Sequence, residues 1–173
     1  MKDDEISLVT QKLKWLRLPG MAEQLRPIVE KAATENLSAL QAVDRLCDEE
    51  KASRLRNAVD RRIRDARFPE VNTVDAFDFD FCPVRKKARA RYLALHDLAF
   101  IDKGVNPLFI GIPGTGKTFL ARALAFRACQ ANRRVVLVSA PKMLNDLHGA
   151  ELHGRLDRVL RKYTRAELLV IDD

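Results

Sequence analysis

Eight consecutive residues carry the spacing of a phosphate-binding loop. Residues 111–118 have the sequence G-I-P-G-T-G-K-T and match the pattern G-x-x-x-x-G-K-[ST]. Around a phosphate chain several backbone N–H groups must point inward at once, and glycines keep Cβ atoms out of that turn. An apolar stretch precedes the loop and a helical pattern follows it. The segment therefore predicts a nucleotide site; the alternative is a glycine-rich turn before an ordinary helix, which needs neither Lys117 nor Thr118.

The chemistry expected at this loop is the binding of ATP and Mg²⁺. Lys117 is expected to contact the β and γ phosphates, and the hydroxyl of Thr118 is expected to ligate Mg²⁺. The helix that begins near Lys117 adds the positive end of its dipole to the same site. The predicted nucleotide-binding residues are Gly111, Ile112, Pro113, Gly114, Thr115, Gly116, Lys117, Thr118 and Phe119.

A second acidic element belongs with this loop. Residues 168–173 have the sequence L-L-V-I-D-D, which predicts a buried strand that ends in two carboxylates. In a chain with a phosphate loop this pattern is typical of a Walker B element. Asp172 is expected to hold Mg²⁺ directly or through water, and Asp173 to orient the attacking water. The predicted catalytic residues are thus Lys117 and Asp173, and the alternative for the two aspartates is a helix cap or a surface loop.

The elements that must position these residues alternate between strand and helix. Apolar runs predict strands at 107–112, 134–140 and 168–173. Helical patterns cover 117–131 and 154–163, and Pro141 is suited to the start of another helix. Such alternation predicts an α/β domain with a parallel sheet, here of the P-loop NTPase class.

The residues before this domain have helical spacing. Helices are predicted at 6–18, 21–34 and 38–67, with Leu18-Pro19-Gly20 ending the first and a Ser38/Gln41 capping box opening the third. The predicted division is a helical DNA-binding or oligomerisation region at 1–68, a connector with a basic helix at 69–104, and the ATP-binding core at 105–173.

The connector combines alternating aromatic residues with a basic helix. Phe77, Phe79 and Phe81 alternate with aspartates, which favours an extended segment with one buried face. A helix is then predicted from Val84 to about Phe100, with Gly104 as its stop.

Positive charge indicates an anionic partner. The net charge is +7 and the pI about 9.6, values that favour nucleic acid. The second half of helix 38–67 is dominated by cations, and phosphate backbones attract such a stripe. The predicted DNA-contacting residues are Arg54, Arg56, Arg61, Arg62, Arg64 and Arg67. A solvated helix face and an arginine-rich subunit contact are the alternatives. A second basic cluster comprises Arg85, Lys86, Lys87, Arg89 and Arg91.

Several classes of protein are not expected. The three cysteines form no C-x-x-C pair, and the three histidines lack metal-ligand spacing. The acidic N-terminus has no apolar signal region, and no apolar run reaches about 18 residues. We expect a soluble, cytoplasmic protein without a membrane partner.

Five segments together resemble one protein family. They are K-L-K-W-L-R-L-P-G-M-A, R-R-I-R-D-A-R-F-P, F-D-F, G-I-P-G-T-G-K-T and L-L-V-I-D-D, in that order. The chain resembles the IstB-like ATPases, helper proteins of IstA/IstB-type transposons that are related to DnaC helicase loaders within the AAA+ group. The resemblance implies an ATP-dependent oligomer that binds and deforms duplex DNA and assists an IstA-like transposase. The basic helices would contact the DNA backbone.

The family pattern extends beyond the last residue of this chain. Members continue to a sensor, further strands and an arginine finger, whereas this chain stops at Asp173. The resemblance implies a sheet order of 5-1-4-3-2, in which the fourth strand lies between the strands at 107–112 and 168–173. Without that fourth strand, both would have unpaired inner edges. We therefore expect a truncated chain. The residues present here supply neither the sensor nor the arginine finger on which ATP hydrolysis in that family depends. A DnaC-like helicase loader and a hydrolysis-deficient DNA-binding or protein-binding module are the alternatives.

Overall fold

A computed structural model describes residues 2–172, with the side chain of Lys2 left out of the description. The chain divides into two compact units, residues 1–58 and 59–173. The division into three regions expected from the sequence stays a prediction. No helix in the described part of the chain is both long enough and apolar enough to cross a membrane.

Eight α-helices and two strands are assigned within residues 2–172. In chain order they are α1 (Lys2–Trp15), α2 (Pro19–Thr34), α3 (Ala39–Ala66), α4 (Pro83–Leu93), α5 (Ala99–Asp102), α6 (Lys117–Gln130), β1 (Val135–Ser139), α7 (Ala140–Leu152), α8 (Leu156–Thr164) and β2 (Leu168–Asp172). Single 3₁₀ turns cover Val74–Ala76 and Ala94–Asp97.

The first unit shows where the predicted helix boundary was wrong. Pro19 and Gly20 do not end α1; they form the first turn of α2. Pro19 suits that position because the first helical N–H has no acceptor within a helix, so its loss costs nothing. Helix α1 ends at Trp15, and Arg17 reverses the chain with a φ of 60°.

A buried carboxylate joins α2 to α3. Glu50 accepts hydrogen bonds from the backbone N–H of Gly20 at 2.8 Å and of Met21 at 3.3 Å, and Arg54 Nε donates to it at 2.8 Å. Burial opposes ionisation of Glu50, but these donors together lower its pKa below the usual value. The charged carboxylate thus satisfies the free amides at the start of α2.

The start of α3 confirms the predicted capping box. The N–H of Ser38 donates to Gln41 Oε1 at 2.8 Å, and the N–H of Gln41 donates to Ser38 Oγ at 3.2 Å. The two bonds satisfy amides that have no acceptor in the first turn.

In the second unit, α6 packs against a parallel pair of strands. Strands β1 and β2 pair in register from Val135 opposite Leu168 to Ser139 opposite Asp172. Three small residues of α6 are completely buried: Ala125, Ala128 and Cys129. Their size allows the helix to approach the core closely. The larger side chains of this core are Phe77, Phe79, Tyr92, Leu98, Phe100, Leu120, Leu124 and Val135.

Salt bridges tie the beginnings of the two strands together. Glu167 accepts from the backbone N–H of Arg134 at 2.9 Å and from Arg133 Nη1 at 3.1 Å. Arg133 also contacts Asp102 at 2.7 Å. The pKa of Glu167 is lowered chiefly by the Arg134 backbone hydrogen bond, with burial opposing it and Arg133 adding to it.

The expected strand at 107–112 is not formed among the described residues. In that part of the chain β1 and β2 pair only with each other. The backbone groups of a strand need a neighbouring strand as hydrogen-bond partner. Residues 107–112 have no such neighbour in the described part of the chain, so no strand forms there. Leu108, Ile110 and Ile112 are 82%, 90% and 70% exposed.

The single helix expected from Val84 to Phe100 is also wrong. Helix α4 ends at Leu93, and Leu98 takes a left-handed conformation with φ of 62° before α5 begins. Leu98 and Phe100 are both buried, so the break directs two large apolar side chains into the core.

The close approach at Gly20 gives a test of the first unit. A Cβ there would lie 2.7 Å from the Glu49 carbonyl oxygen and 2.8 Å from the Glu50 Cα. We expect Gly20→Ala to lower the free energy of unfolding by about 1–3 kcal/mol, measured by urea denaturation followed by circular dichroism.

The control for this variant is Gly149→Ala within α7. A Cβ at Gly149 meets nothing within 4 Å, so alanine should raise stability by about 0.5–1 kcal/mol. Equal stabilities of the two variants would show that α2 and α3 do not approach as described.

Candidate functional site

The loop 111–116 leads from the unpaired segment directly into α6. Gly114 and Gly116 have φ values of 80° and 89°, which glycine adopts at little cost. Gly116 is the residue before the first helical position. A Cβ on Gly116 would lie 2.5 Å from Cε2 of Phe77. Both the backbone conformation and the space at Gly116 therefore require glycine.

Two side chains of the loop and of the first helical position donate to one carbonyl group. Thr115 Oγ1 donates to the Ile112 carbonyl oxygen at 2.9 Å, and Lys117 Nζ donates to the same atom at 3.2 Å. Lys117 thus lies back across the loop, where its ammonium group is available to a neighbouring anion.

The start of α6 supplies further donors. The first hydrogen bond within the helix runs from the N–H of Leu120 to the Gly116 carbonyl at 2.9 Å. The amides of the three preceding residues have no acceptor in the helix, which is the usual basis of anion binding at a helix N-terminus. The centroid of the Phe119 ring lies 5.2 Å from that of the Phe77 ring. Of the residues expected to bind nucleotide, Phe119 would therefore contribute through its backbone only.

Asp172, the last residue of β2, lies beside the first turn of α6. Thr118 Oγ1 donates to Asp172 Oδ1 at 2.8 Å, although the two residues are 54 positions apart. Hydroxyl and carboxylate oxygens are hard ligands of the kind that Mg²⁺ prefers, so this pair fits the predicted metal. Asp173 lies outside the described residues, and its role stays a prediction.

Arg122 also contacts Asp172, although it was not identified as a site residue from the sequence. Its Nη2 lies 3.5 Å from Asp172 Oδ2. Arg122 is four residues after Thr118, a spacing that places both side chains on one face of a helix. That spacing was the available signal. Arg122 places a positive charge on the side of the carboxylate away from Thr118.

A cleft borders this site on one side. Its volume is about 580 Å³, and its walls come from residues 104–109, α6 and residues 166–172. Lys117 and Asp172 are the candidate-site residues that line it.

The predicted DNA-contacting arginines fall into two groups. Arg54 donates to Glu50 at 2.8 Å, and Arg62 donates to the backbone and side chain of Asn132 at 3.3 Å. The other four are exposed and have no ion pair or side-chain hydrogen bond to the described residues: Arg56, Arg61, Arg64 and Arg67. The second group has all of its side-chain donors open to a phosphate backbone, whereas Arg54 and Arg62 each use the Nε donor within the chain.

Comparison with known proteins places this site in a family context. The family model described as IstB-like ATP-binding protein matches residues 11–173. An ATP-binding protein of insertion sequence IS5376 from Geobacillus stearothermophilus is 33% identical over 91% of this chain and 62% of its own length. One of insertion sequence IS21 from Pseudomonas aeruginosa is 30% identical over 93% of this chain and 60% of its own. The chain thus spans about three fifths of these relatives.

The contact between Gly116 and Phe77 gives a test of the loop geometry. We expect Gly116→Ala to destabilise the protein more than Gly114→Ala, because both replace a glycine with positive φ but only the first also meets a ring. The difference in denaturation midpoint measures the clash.

Replacing the Phe77 ring with a smaller side chain should relieve that clash. In a Phe77→Leu background, the cost of Gly116→Ala should fall towards that of Gly114→Ala. An unchanged cost would mean that Phe77 does not pack on the loop.

Proposed function

This chain belongs to the family of IstB-like ATP-binding proteins, and on that premise we propose that it binds MgATP at residues 111–118 and acts on DNA in the transposition of an insertion sequence. Its α/β fold with a parallel sheet is of the P-loop NTPase kind. We assign it to the AAA+ group within that class. The relatives that it matches are named as ATP-binding proteins of insertion sequences.

Each residue of the site has a role that follows from its chemistry. The loop amides and those at the start of α6 would donate to phosphate oxygens, and Lys117 would exchange the Ile112 carbonyl for a phosphate. Thr118 and Asp172 would hold Mg²⁺, which supplies charge neutralisation between the phosphates when bound. Asp173 would orient water, which makes it the predicted catalytic partner of Lys117.

The observation that carries the proposal is the meeting of Thr118 and Asp172. A phosphate loop and an acidic strand end occur separately in many proteins. Here a hydroxyl next to the loop lysine lies 2.8 Å from a carboxylate at the end of a parallel strand. That arrangement combines anion donors and metal ligands within one site.

The DNA part of the proposal rests on charge. Arg56, Arg61, Arg64 and Arg67 are exposed on a protein of net charge +7, which favours duplex DNA as the anionic partner. A cognate transposase and further copies of this chain are the proposed protein partners, and the cytoplasm is the proposed location.

Replacing the loop lysine tests nucleotide binding. We expect Lys117→Ala to weaken MgATP binding by about tenfold to a hundredfold, because a charged donor to the phosphates is lost. Isothermal titration calorimetry with a non-hydrolysable ATP analogue provides the measurement.

Lys103→Ala is the matched control, since Lys103 is exposed and lies outside the loop. It should bind the analogue as the parent does. Parental affinity in the Lys117→Ala protein would refute a nucleotide site at this loop.

A salt titration tests the DNA surface. The double variant Arg61→Ala/Arg64→Ala should bind duplex DNA more weakly, and its log–log slope against salt should be shallower by about 2, since each lost phosphate contact removes about 0.9. Fluorescence anisotropy at several salt concentrations gives the slope.

The control on the same helix is Arg45→Ala. Arg45 already pairs with Glu35 at 2.9 Å, so its removal should leave the slope within error. Equal slopes for the parent and the double variant would exclude this surface as a phosphate contact.

A further inference from the structure

We infer that Arg85 is a positioning residue, which orients the backbone amides of the phosphate-binding loop toward the nucleotide. The inference rests on the proposed nucleotide site. Arg85 Nη2 donates to the Gly114 carbonyl at 3.1 Å, and its Nε donates to the Thr115 carbonyl at 3.2 Å. Both acceptors belong to the loop itself, although Arg85 lies about thirty residues earlier in the chain, in α4.

The planarity of the peptide bond converts these two contacts into a constraint on the donors. In a trans peptide the carbonyl of one residue and the N–H of the next point in opposite directions, and the described chain has no cis peptide bond. Holding the carbonyls of Gly114 and Thr115 toward Arg85 therefore turns the N–H groups of Thr115 and Gly116 to the opposite side. Those two amides are among the donors that the nucleotide site needs.

Aromatic rings fix the guanidinium in this position. Its central carbon lies 4.7 Å from the centroid of the Phe77 ring and 4.6 Å from that of Phe81. Arg85 Nη1 also donates to the Asp78 carbonyl at 3.3 Å. Phe81 is 70% exposed, contrary to the buried position expected for it, and its contact with Arg85 accounts for a large ring at the surface.

Only a guanidinium can make this set of contacts. Its planar group donates in several fixed directions and stacks on ring faces, whereas a lysine ammonium is a compact charge on a flexible stem. Three hydrogen bonds within the chain engage donors that a DNA phosphate would otherwise use. Arg85 thus differs in role from Lys86, Lys87 and Arg91 of the same basic cluster.

Arg89 is the matched control for Arg85. It lies one turn later in α4, and its guanidinium stacks 5.8 Å from the Phe79 ring. The structure records no hydrogen bond from Arg89 to the described residues of the loop. Arg85→Ala and Arg89→Ala both remove an arginine stacked on a phenylalanine, but only the first removes contacts to the loop.

Two measurements test the inference on the full chain. Nitrogen-15 relaxation of the nucleotide-free protein should give order parameters of about 0.85 for the Thr115 and Gly116 amides in the parent and below about 0.6 in Arg85→Ala. Titration with a non-hydrolysable ATP analogue should show affinity about tenfold weaker in Arg85→Ala, because the loop backbone would then have to be ordered when the analogue binds. Arg89→Ala should match the parent in both.

The variant Arg85→Lys distinguishes a loss of loop contacts from a general folding defect. It keeps the charge and most of the side chain, so its thermal unfolding should follow the parent while its order parameters and affinity follow Arg85→Ala. Added guanidinium ion should restore part of the affinity of Arg85→Ala and leave that of Arg85→Lys unchanged.

The outcomes separate the two proposals. If the parent did not bind the analogue, the proposed function would be refuted. The loop order parameters would still test the positioning role of Arg85. Parental binding together with unchanged loop order parameters in both Arg85 variants would overturn the role of Arg85. Equal losses in the Arg85 and Arg89 variants would overturn it too, because the effect would then belong to α4 as a whole.

Discussion

The packing of α6 against β1 and β2 is the constraint on which the candidate site depends. Ala125, Ala128 and Cys129 have no exposed surface on that helix. Burial raises the pKa of the Cys129 thiol to about 11, so Cys129 stays neutral and packs as a small apolar residue. A helix rises about 1.5 Å per residue. A slip of one residue along the axis would therefore break the 2.8 Å contact between Thr118 and Asp172. Close packing at the far end of α6 fixes the register of its first turn.

The first turn of α6 is held from a second side by the aromatic connector and α4. Phe77 occupies the space beside Gly116 and packs against the Phe119 ring. Tyr92 donates its hydroxyl to the Leu120 carbonyl at 3.0 Å, and burial raises the pKa of Tyr92 well above its ordinary value. A buried neutral hydroxyl would lose a hydrogen bond if α4 moved, which is costly in an apolar core. The sheet thus sets the position of α6 along its axis, and the connector holds its N-terminal end.

The sequence predicted the elements that depend on local spacing. The capping box at Ser38 and the strands at 135–139 and 168–172 are present close to their expected bounds. Three of the failures depend on distant partners. The segment 107–112 has strand composition but no neighbouring strand among the described residues. Leu98 breaks a helical pattern because burying Leu98 and Phe100 outweighs a left-handed φ. Arg85 looked like one cation in a cluster, since nothing in local spacing shows that a guanidinium will meet carbonyls about thirty residues away.

The unpaired segment before the loop explains why the loop needs support from outside the sheet. In a strand, ladder hydrogen bonds would fix the backbone up to Gly111, and the loop would begin from a rigid stem. Here Leu108, Ile110 and Ile112 are largely exposed, and the described residues give their segment no ladder. The Ile112 carbonyl accepts from Thr115 and Lys117, but both donors belong to the loop and its first helical residue. Such local bonds shape the loop without anchoring it. Anchoring must come from α6 on one side and from Arg85 on the other, so the geometry of the candidate phosphate site depends on α4 as well as on the motif itself.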